Sequence, residues 1–455
     1  MLPRSSLSRP PAAEQHAALA PPLPVPRSVA DTGLQHGMLV ELLARHMQAT
    51  GKDHVATYTH KLKLPSALVL ALLEFMTRER LAEVMRRGAH HADADYQLTE
   101  AGRQYASAST ARCRYLGPAP VTLAAYCAQV LRQSVRQQRV TQAQIDATLS
   151  DLAIVPAVRE NAGSALNAGR PIFLHGAPGS GKTTLAMRLG ALLDGHVRIP
   201  YALAVDDAVI QLYDPLVHYA PADESSQAGG LEQAGGDRRW VLCRRPVVHA
   251  GAELTLDMLG LRYAPAAGYY HAPLHLKANN GLFIVDDVGS HAMPVRDLVN
   301  RWLLPLDRAS DRLSLAGGYQ FAVPFDMMLV FASRHQPDQL ADAAFLRRMA
   351  YKIALGELSL EQYRSVVQAQ CCAQDICFDA AAFDFLAVQL HRAQGVAMLP
   401  VYPRDLLALI TDHARYLRQR SLLTPAALQR AWDVYFSRPA TGAAATERRD
   451  QEDLV

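Results

Sequence analysis

The run Gly176-Ala177-Pro178-Gly179-Ser180-Gly181-Lys182-Thr183-Thr184 contains the spacing Gly-x-x-x-x-Gly-Lys followed by threonine. Glycines in such a loop let backbone N–H groups turn inward, and a helix starting just beyond adds the positive end of its dipole. The loop can therefore cradle a chain of phosphates. Lys182 brings a point charge to the outer phosphates, and the Thr183 hydroxyl is a hard oxygen ligand suited to Mg2+. The flanks agree, because Ile172-Phe173-Leu174 reads as a buried strand and Leu185-Ala186-Met187-Arg188-Leu189 as helix.

A second apolar run, Leu282-Phe283-Ile284-Val285, ends in Asp286-Asp287. At the C-terminal edge of a parallel sheet these carboxylates face the place where nucleotides bind. Asp286 is then positioned to hold Mg2+ through water, and Asp287 to orient or deprotonate an attacking water. Two solvated turn carboxylates are the plainer alternative.

With these motifs in order, the stretch from about residue 150 to 436 resembles the AAA+ family of ATPases. The approach to the acidic pair, Ala278-Asn279-Asn280-Gly281, resembles MoxR-type ATPases and bacterial enhancer-binding activators. So does the glycine-turn hairpin around Leu313-Ser314-Leu315-Ala316-Gly317-Gly318-Tyr319-Gln320-Phe321, placed before the strand Met328-Leu329-Val330-Phe331-Ala332. The resemblance implies a P-loop NTPase three-layer αβα core with a parallel sheet and a C-terminal helical lid. It also implies ATP and Mg2+ as cofactors and catalysis at the interfaces of a homo-oligomeric ring, expected as a hexamer. In the segment Asp342-Ala343-Ala344-Phe345-Leu346-Arg347-Arg348, either arginine can be the finger that reaches a neighbour's ATP. Arg404, in Tyr402-Pro403-Arg404-Asp405-Leu406, falls where the family's second sensor contacts the terminal phosphate. An arginine at an exposed helix start is the alternative for that residue.

Two positions depart from the family's hydrolytic pattern. Asp287 stands where glutamate is common, and Arg334, after Ser333, stands where an asparagine positions the water. Shortening a base by one methylene moves its carboxylate about 1 Å, a displacement that can cost on the order of a hundredfold in rate. Arg334 has two roles open to it: pairing with Asp287, which would weaken the base, or adding charge at the phosphate.

Several elements must carry this chemistry. Residues 1–32 are rich in Pro, Ala and Ser and read as a disordered tail. In residues 33–115, Leu39, Leu42, Leu43 and Met47 mark one helix and Pro65 to Arg80 a second. A hairpin follows, from Leu81-Ala82-Glu83-Val84-Met85 through a polar tip to Tyr96-Gln97-Leu98-Thr99. This order resembles a winged helix. Its second helix offers few base-reading side chains, so a protein client or adaptor is the favoured partner and DNA the less favoured one. Pro118 and Pro120 read as a linker into a nucleotide-binding core over 116–356, followed by a helical lid over 357–436 and a flexible tail over 437–455. Within the core, 223–237 reads as an exposed soft loop, and 247–270 as a region holding a substrate-facing loop. Tyr269 and Tyr270 are its aromatic candidates, with ordinary packing the alternative.

A net charge of +3 with 20% charged residues excludes a dedicated nucleic-acid binder. Six dispersed cysteines fit reduced thiols in a cytosol, and Cys371, Cys372 and Cys377 lack paired metal-ligand spacing. No run approaches the roughly 20 apolar residues of a membrane helix, so a cytoplasmic protein without membrane insertion is expected. The leading expectation is an Mg-ATP-dependent ATPase that remodels or moves a partner. The alternatives are a nucleotide-gated binding module with little hydrolysis and, more remotely, a P-loop kinase.

Overall fold

Five strands form the central sheet of the computed structural model, which describes residues 22–86, 94–221, 236–340 and 343–436. Their order across the sheet is Val247–Ala250, Leu282–Val285, Met328–Ser333, Ile172–His175 and Tyr351–Ala354, and every adjacent pair is parallel. Parallel neighbours require crossover connections, which lay helices over both faces.

Side-chain alternation divides the sheet between two cores. Ile172, Leu174, Ile284 and Val330 pack with the helices Pro156–Ala168 and Lys182–Gly190. Phe173, Phe283, Leu329 and Phe331 pack on the other side with Trp302 of the helix Val295–Arg308 and with Phe345. The fold is thus α/β, a three-layer parallel core with the phosphate-type loop between its own strand and helix. The Met328–Ser333 strand runs between the loop's strand and the acidic strand, so the ends of all three meet at one edge.

The long interval between Lys182 and Asp286 holds more structure than the sequence implies. It supplies four strands of a second five-stranded sheet, in the order Arg262–Ala264, Tyr269–His271, Ala208–Gln211 and Ala202–Val205, with Val121–Thr122 from before the interval as the fifth. Val247–Ala250, read from sequence as part of a loop-bearing region, is the edge strand of the central sheet. Tyr270 is buried and its hydroxyl accepts the Ala316 N–H at 2.9 Å, so it fastens the hairpin Ser310–Ser314/Gln320–Pro324 to this second sheet.

The N-terminal part has the order helix His36–Thr50, strand Asp53–His54, helices Val55–Leu62 and Ser66–Arg78, then the hairpin Ala82–Arg86/Asp95–Leu98. Val55–Leu62 is a helix that sequence patterning passes over, being only two turns long with Val55, Tyr58 and Leu62 buried. The expected linker at Pro118 and Pro120 is instead a seam. Ala119 is buried and donates its N–H to Leu62 O, and Val121–Thr122 pairs with Ala202–Val205. Ala202 and Val209 of the second sheet lie in the same apolar cluster as the N-terminal helices. From 22 to 32, within the expected tail, the chain is also seated. Asp237 N–H donates to Leu23 O, and the Arg239 guanidinium, ion-paired with Asp237, donates to Thr32 O and Pro120 O.

After the core come the helices Leu360–Ala373, Ala380–Phe385, Val401–Tyr416 and Pro425–Tyr435, with a π-helical turn at Leu386–Arg392. Their interior centres on Tyr363, Phe383 and Trp432. The tail segments 1–21 and 437–455, the hairpin tip 87–93, positions 222–235 with most of the soft loop, and residues 341–342 with Asp342 lie outside the described residues. Among the described residues no helix is long and apolar enough to cross a membrane.

Candidate nucleotide site

The loop 176–183 is held by the strands around it. Gly176 N–H donates to Ser333 O at 3.2 Å, and Leu355 N–H donates to His175 O at 2.8 Å. A Cβ on Gly176 would stand 2.1 Å from Leu355 O, so only glycine allows this approach. Gly179 and Gly181 have φ of 83° and 92°, and Gly181 caps the helix Lys182–Gly190. That geometry leaves the first N–H groups of the helix at the loop's mouth.

Lys182 is nearly buried and its Nζ donates to Gly176 O at 2.8 Å and Ala177 O at 2.9 Å. Burial pulls its ammonium below the ordinary value, while Asp286 and Asp287 act in the opposite sense. Thr183 Oγ1 donates to Asp286 Oδ2 at 2.6 Å, bringing together the hydroxyl and carboxylate expected at a magnesium site. Two hard oxygens converging beside a helix N-terminus fit Mg2+, which keeps several waters and shares its shell with phosphates. Among the described residues no group of three or more His, Cys, Asp or Glu gathers to hold a metal independently.

Asp286 is buried. Burial pushes its carboxyl upward, but hydrogen bonds from His249, Thr183 and the Asp287 N–H outweigh this and hold it below the usual carboxylate range. His249 Nε2 lies 3.1 Å from Asp286 Oδ2, and this hydrogen bond raises the imidazole above its ordinary value. His249 was not among the sequence candidates. A lone histidine between Val248 and Ala250 carries no motif, and only the pairing of its strand with the acidic strand brings it here.

Asp287 is exposed, with φ of 52°, an uncommon backbone conformation outside glycine and one often held at functional sites. Its loop is pinned to the end of the central strand. Val288 N–H donates to Ala332 O, and Ser333 Oγ donates to Val288 O at 2.5 Å. Arg334 is exposed and its Nε donates to His335 Nε2 at 3.2 Å, and among the described residues it forms no ion pair with Asp287.

Arg404 lies in the first turn of Val401–Tyr416, exposed, with Nε 2.9 Å from Asp405 Oδ1. The same turn touches the phosphate-type loop, since a Cβ on Gly179 would stand 2.4 Å from Val401 Cγ1. Arg347 is exposed, whereas Arg348 is ion-paired with Asp307. The structure thus gathers Gly176 to Thr183, Asp286 and the lid turn at one sheet edge. It leaves Arg334, Arg347 and Arg404 on the surface. Such an edge can bind a polyphosphate with a divalent cation.

The C-terminal helices, residues 359–434, match a protein family described as a domain of unknown function (DUF8689). No curated protein matches the chain in sequence. Among solved structures, NtrX from Brucella abortus in complex with ATP is similar at 14% identity and a TM-score of 0.40, over 68% of this chain and 60% of that one. RuvB from Thermotoga maritima, a Holliday junction branch migration motor, is similar at 13% identity and a TM-score of 0.33, over 66% of this chain and 72% of that one. The chain thus spans about three fifths of the NtrX chain it matches.

Proposed function

We propose that this chain is an AAA+ ATPase that binds Mg-ATP at the loop 176–183 and hydrolyses it at the interfaces of a homo-oligomeric ring. The observation that carries the reading is the convergence of Lys182, Thr183 and Asp286 on one sheet edge that is touched at Gly179 by the lid helix. In this reading Lys182 and the loop N–H groups, with Ser180 and Thr184 at its helix start, hold the phosphates. Thr183 and Asp286 hold Mg2+, which when bound neutralises charge on the transferring phosphoryl group. Asp287 orients the water. Arg404 answers to the terminal phosphate, and an arginine from 347–348 completes a neighbouring subunit's site.

The proposed division is a winged-helix-like unit over 33–115, a core over 116–356 and a lid over 357–436. The apolar cluster shared between the N-terminal helices and the second sheet supports a unit carried rigidly by the core. It would present a docking face for a protein client. The helix Ser66–Arg78 turns Ala67, Ala71, Glu74 and Arg78 outward, which favours protein over DNA as that partner.

Steady-state phosphate release from the purified chain with Mg-ATP, beside Lys182→Ala, tests the proposal. Turnover abolished in the variant is the expected result. Arg334 turned to His335, where the family pattern has a water-positioning amide, favours a second reading in which ATP acts as a switch. Tight ATP binding with no turnover would select that reading.

A further inference from the structure

His249 reaches the phosphate edge of the sheet from outside both nucleotide motifs. Its strand pairs in register with the acidic strand, His249 opposite Ile284 and Ala250 opposite Val285, and Asp286 N–H donates to Ala250 O at 2.8 Å. Backbone pairing therefore fixes where the Asp286 carboxylate emerges relative to the imidazole. Three donors then meet that carboxylate. Thr183 Oγ1 and His249 Nε2 meet Oδ2 at 2.6 and 3.1 Å, and the Asp287 N–H meets Oδ1 at 2.9 Å.

An aspartate's terminal torsion is soft, so a carboxylate presented to a cation keeps one orientation only if neighbours hold it. Thr183 and Asp287 belong to the motifs that face the cation and the water. His249 belongs to neither, and among the described residues its side chain hydrogen-bonds to Asp286 alone. An imidazole N–H is also the suitable donor here. It donates to the carboxylate without the permanent positive charge that a lysine or arginine would set against a divalent cation.

We infer that His249 is a positioning residue for magnesium, holding the Asp286 carboxylate in the orientation that receives the hydrated ion arriving with the nucleotide. The inference rests on the Mg-ATP reading given above. Hydrogen-bond partners of metal-binding carboxylates typically change metal affinity about ten- to hundredfold when removed.

The test uses the full chain and a fluorescent ATP analogue, titrated first in EDTA and then with increasing MgCl2. The proteins compared are the natural protein, His249→Ala and His249→Gln, with thermal melting recorded for each. His249→Ala is expected to bind the analogue in EDTA as the natural protein does. It should need about ten- to hundredfold more Mg2+ for the half-maximal magnesium effect. His249→Gln, whose amide supplies an N–H donor, should recover most of that loss. A magnesium curve for His249→Ala that overlays the natural one overturns the inference. So does a fall in EDTA binding and melting temperature that the glutamine variant shares, since that marks a structural role. If the natural protein binds the analogue with no response to Mg2+, the Mg-ATP reading itself fails and this inference falls with it.

Discussion

Arg348 grips Asp307 with two prongs, Nε to Oδ1 at 2.6 Å and Nη2 to Oδ2, while its neighbour Arg347 stands exposed. Successive residues on a helix point about 100° apart, so only Arg348 is aimed at Asp307 on the helix Val295–Arg308 while Arg347 stays open to solvent. The two candidates for a trans-acting finger therefore differ in what they are already doing. Arg347→Ala is expected to lower phosphate release on the order of a thousandfold with the melting temperature unchanged. Arg348→Ala should lower the melting temperature. Mixing supplies the sharper check: Lys182→Ala subunits, inactive but carrying Arg347, should restore turnover to Arg347→Ala subunits. Natural turnover in Arg347→Ala alone would remove it from the role.

Gly179 and Val401 join the loop to the lid. Gly179→Ala adds a Cβ 2.4 Å from Val401 Cγ1 and imposes a side chain on a φ of 83°. The expected result is displacement of the lid turn that carries Arg404 and at least a tenfold loss of ATP affinity, about 1.4 kcal/mol. Adding Val401→Ala should return part of the loss by relieving the contact, though not the backbone strain. Isothermal titration of the three proteins decides it, and an unchanged affinity in Gly179→Ala would refute the coupling.

The parts of the site that were legible in the sequence are those where one residue type at one spacing has a single physical use. The glycines at 176, 179 and 181, Lys182, Thr183 and the strand before Asp286 are of that kind. The apolar runs at 172–174, 282–285 and 328–332 read as strands by themselves, whereas the parallel three-layer core was implied by the family resemblance of the motifs they carry. His249 was illegible because its role depends on register between two strands far apart in sequence. The second sheet was missed for a similar reason, its strands being short and irregularly spaced between 121 and 271. Pro118 and Pro120 read as a linker because proline marks chain breaks, yet Ala119 and Val121 beside them are buried. What separates Arg348 from Arg347 is its ion pair with Asp307, a partner that nothing in the local sequence indicates.

Asn279 and Asn280, in the family-like approach to the acidic strand, are structural: Asn279 Nδ2 donates to Tyr126 OH and Pro324 O, and its Oδ1 accepts from the Asp326 N–H. Asn280 Nδ2 donates to Asp326 Oδ2 at 2.6 Å and Val130 O at 2.9 Å, and Gln133 donates to Asn280 Oδ1. Asp326 also accepts from Ser134 Oγ and the Val135 N–H. Asn280→Ala would strand these buried groups, each worth about 1–3 kcal/mol when unsatisfied. A loss of about 2–4 kcal/mol in urea unfolding is expected. Nucleotide affinity measured on the fraction still folded should be unchanged, because the network sits at the opposite end of the strand from Asp286.

Asp311 sets an acid limit on the same core. Burial pushes its carboxyl upward, but His275 Nε2 at 2.8 Å from Oδ2 and the Arg301 guanidinium on both oxygens outweigh this, leaving it at about 2 against 3.8 for a free aspartate. A folded-state value below the unfolded one means that the ionised carboxylate stabilises the fold above about pH 4. That contribution is lost as pH falls towards 2. At about 1.4 kcal/mol per unit, it amounts to roughly 2 kcal/mol at neutral pH. Asp311→Asn should therefore be less stable than the natural protein by that order between pH 5 and 7, with the difference narrowing below pH 4 and nearly gone at pH 2. Urea midpoints across that range give the comparison. A difference that stays constant down to pH 2 would show that the stabilisation does not come from the ionised carboxylate between Arg301 and His275.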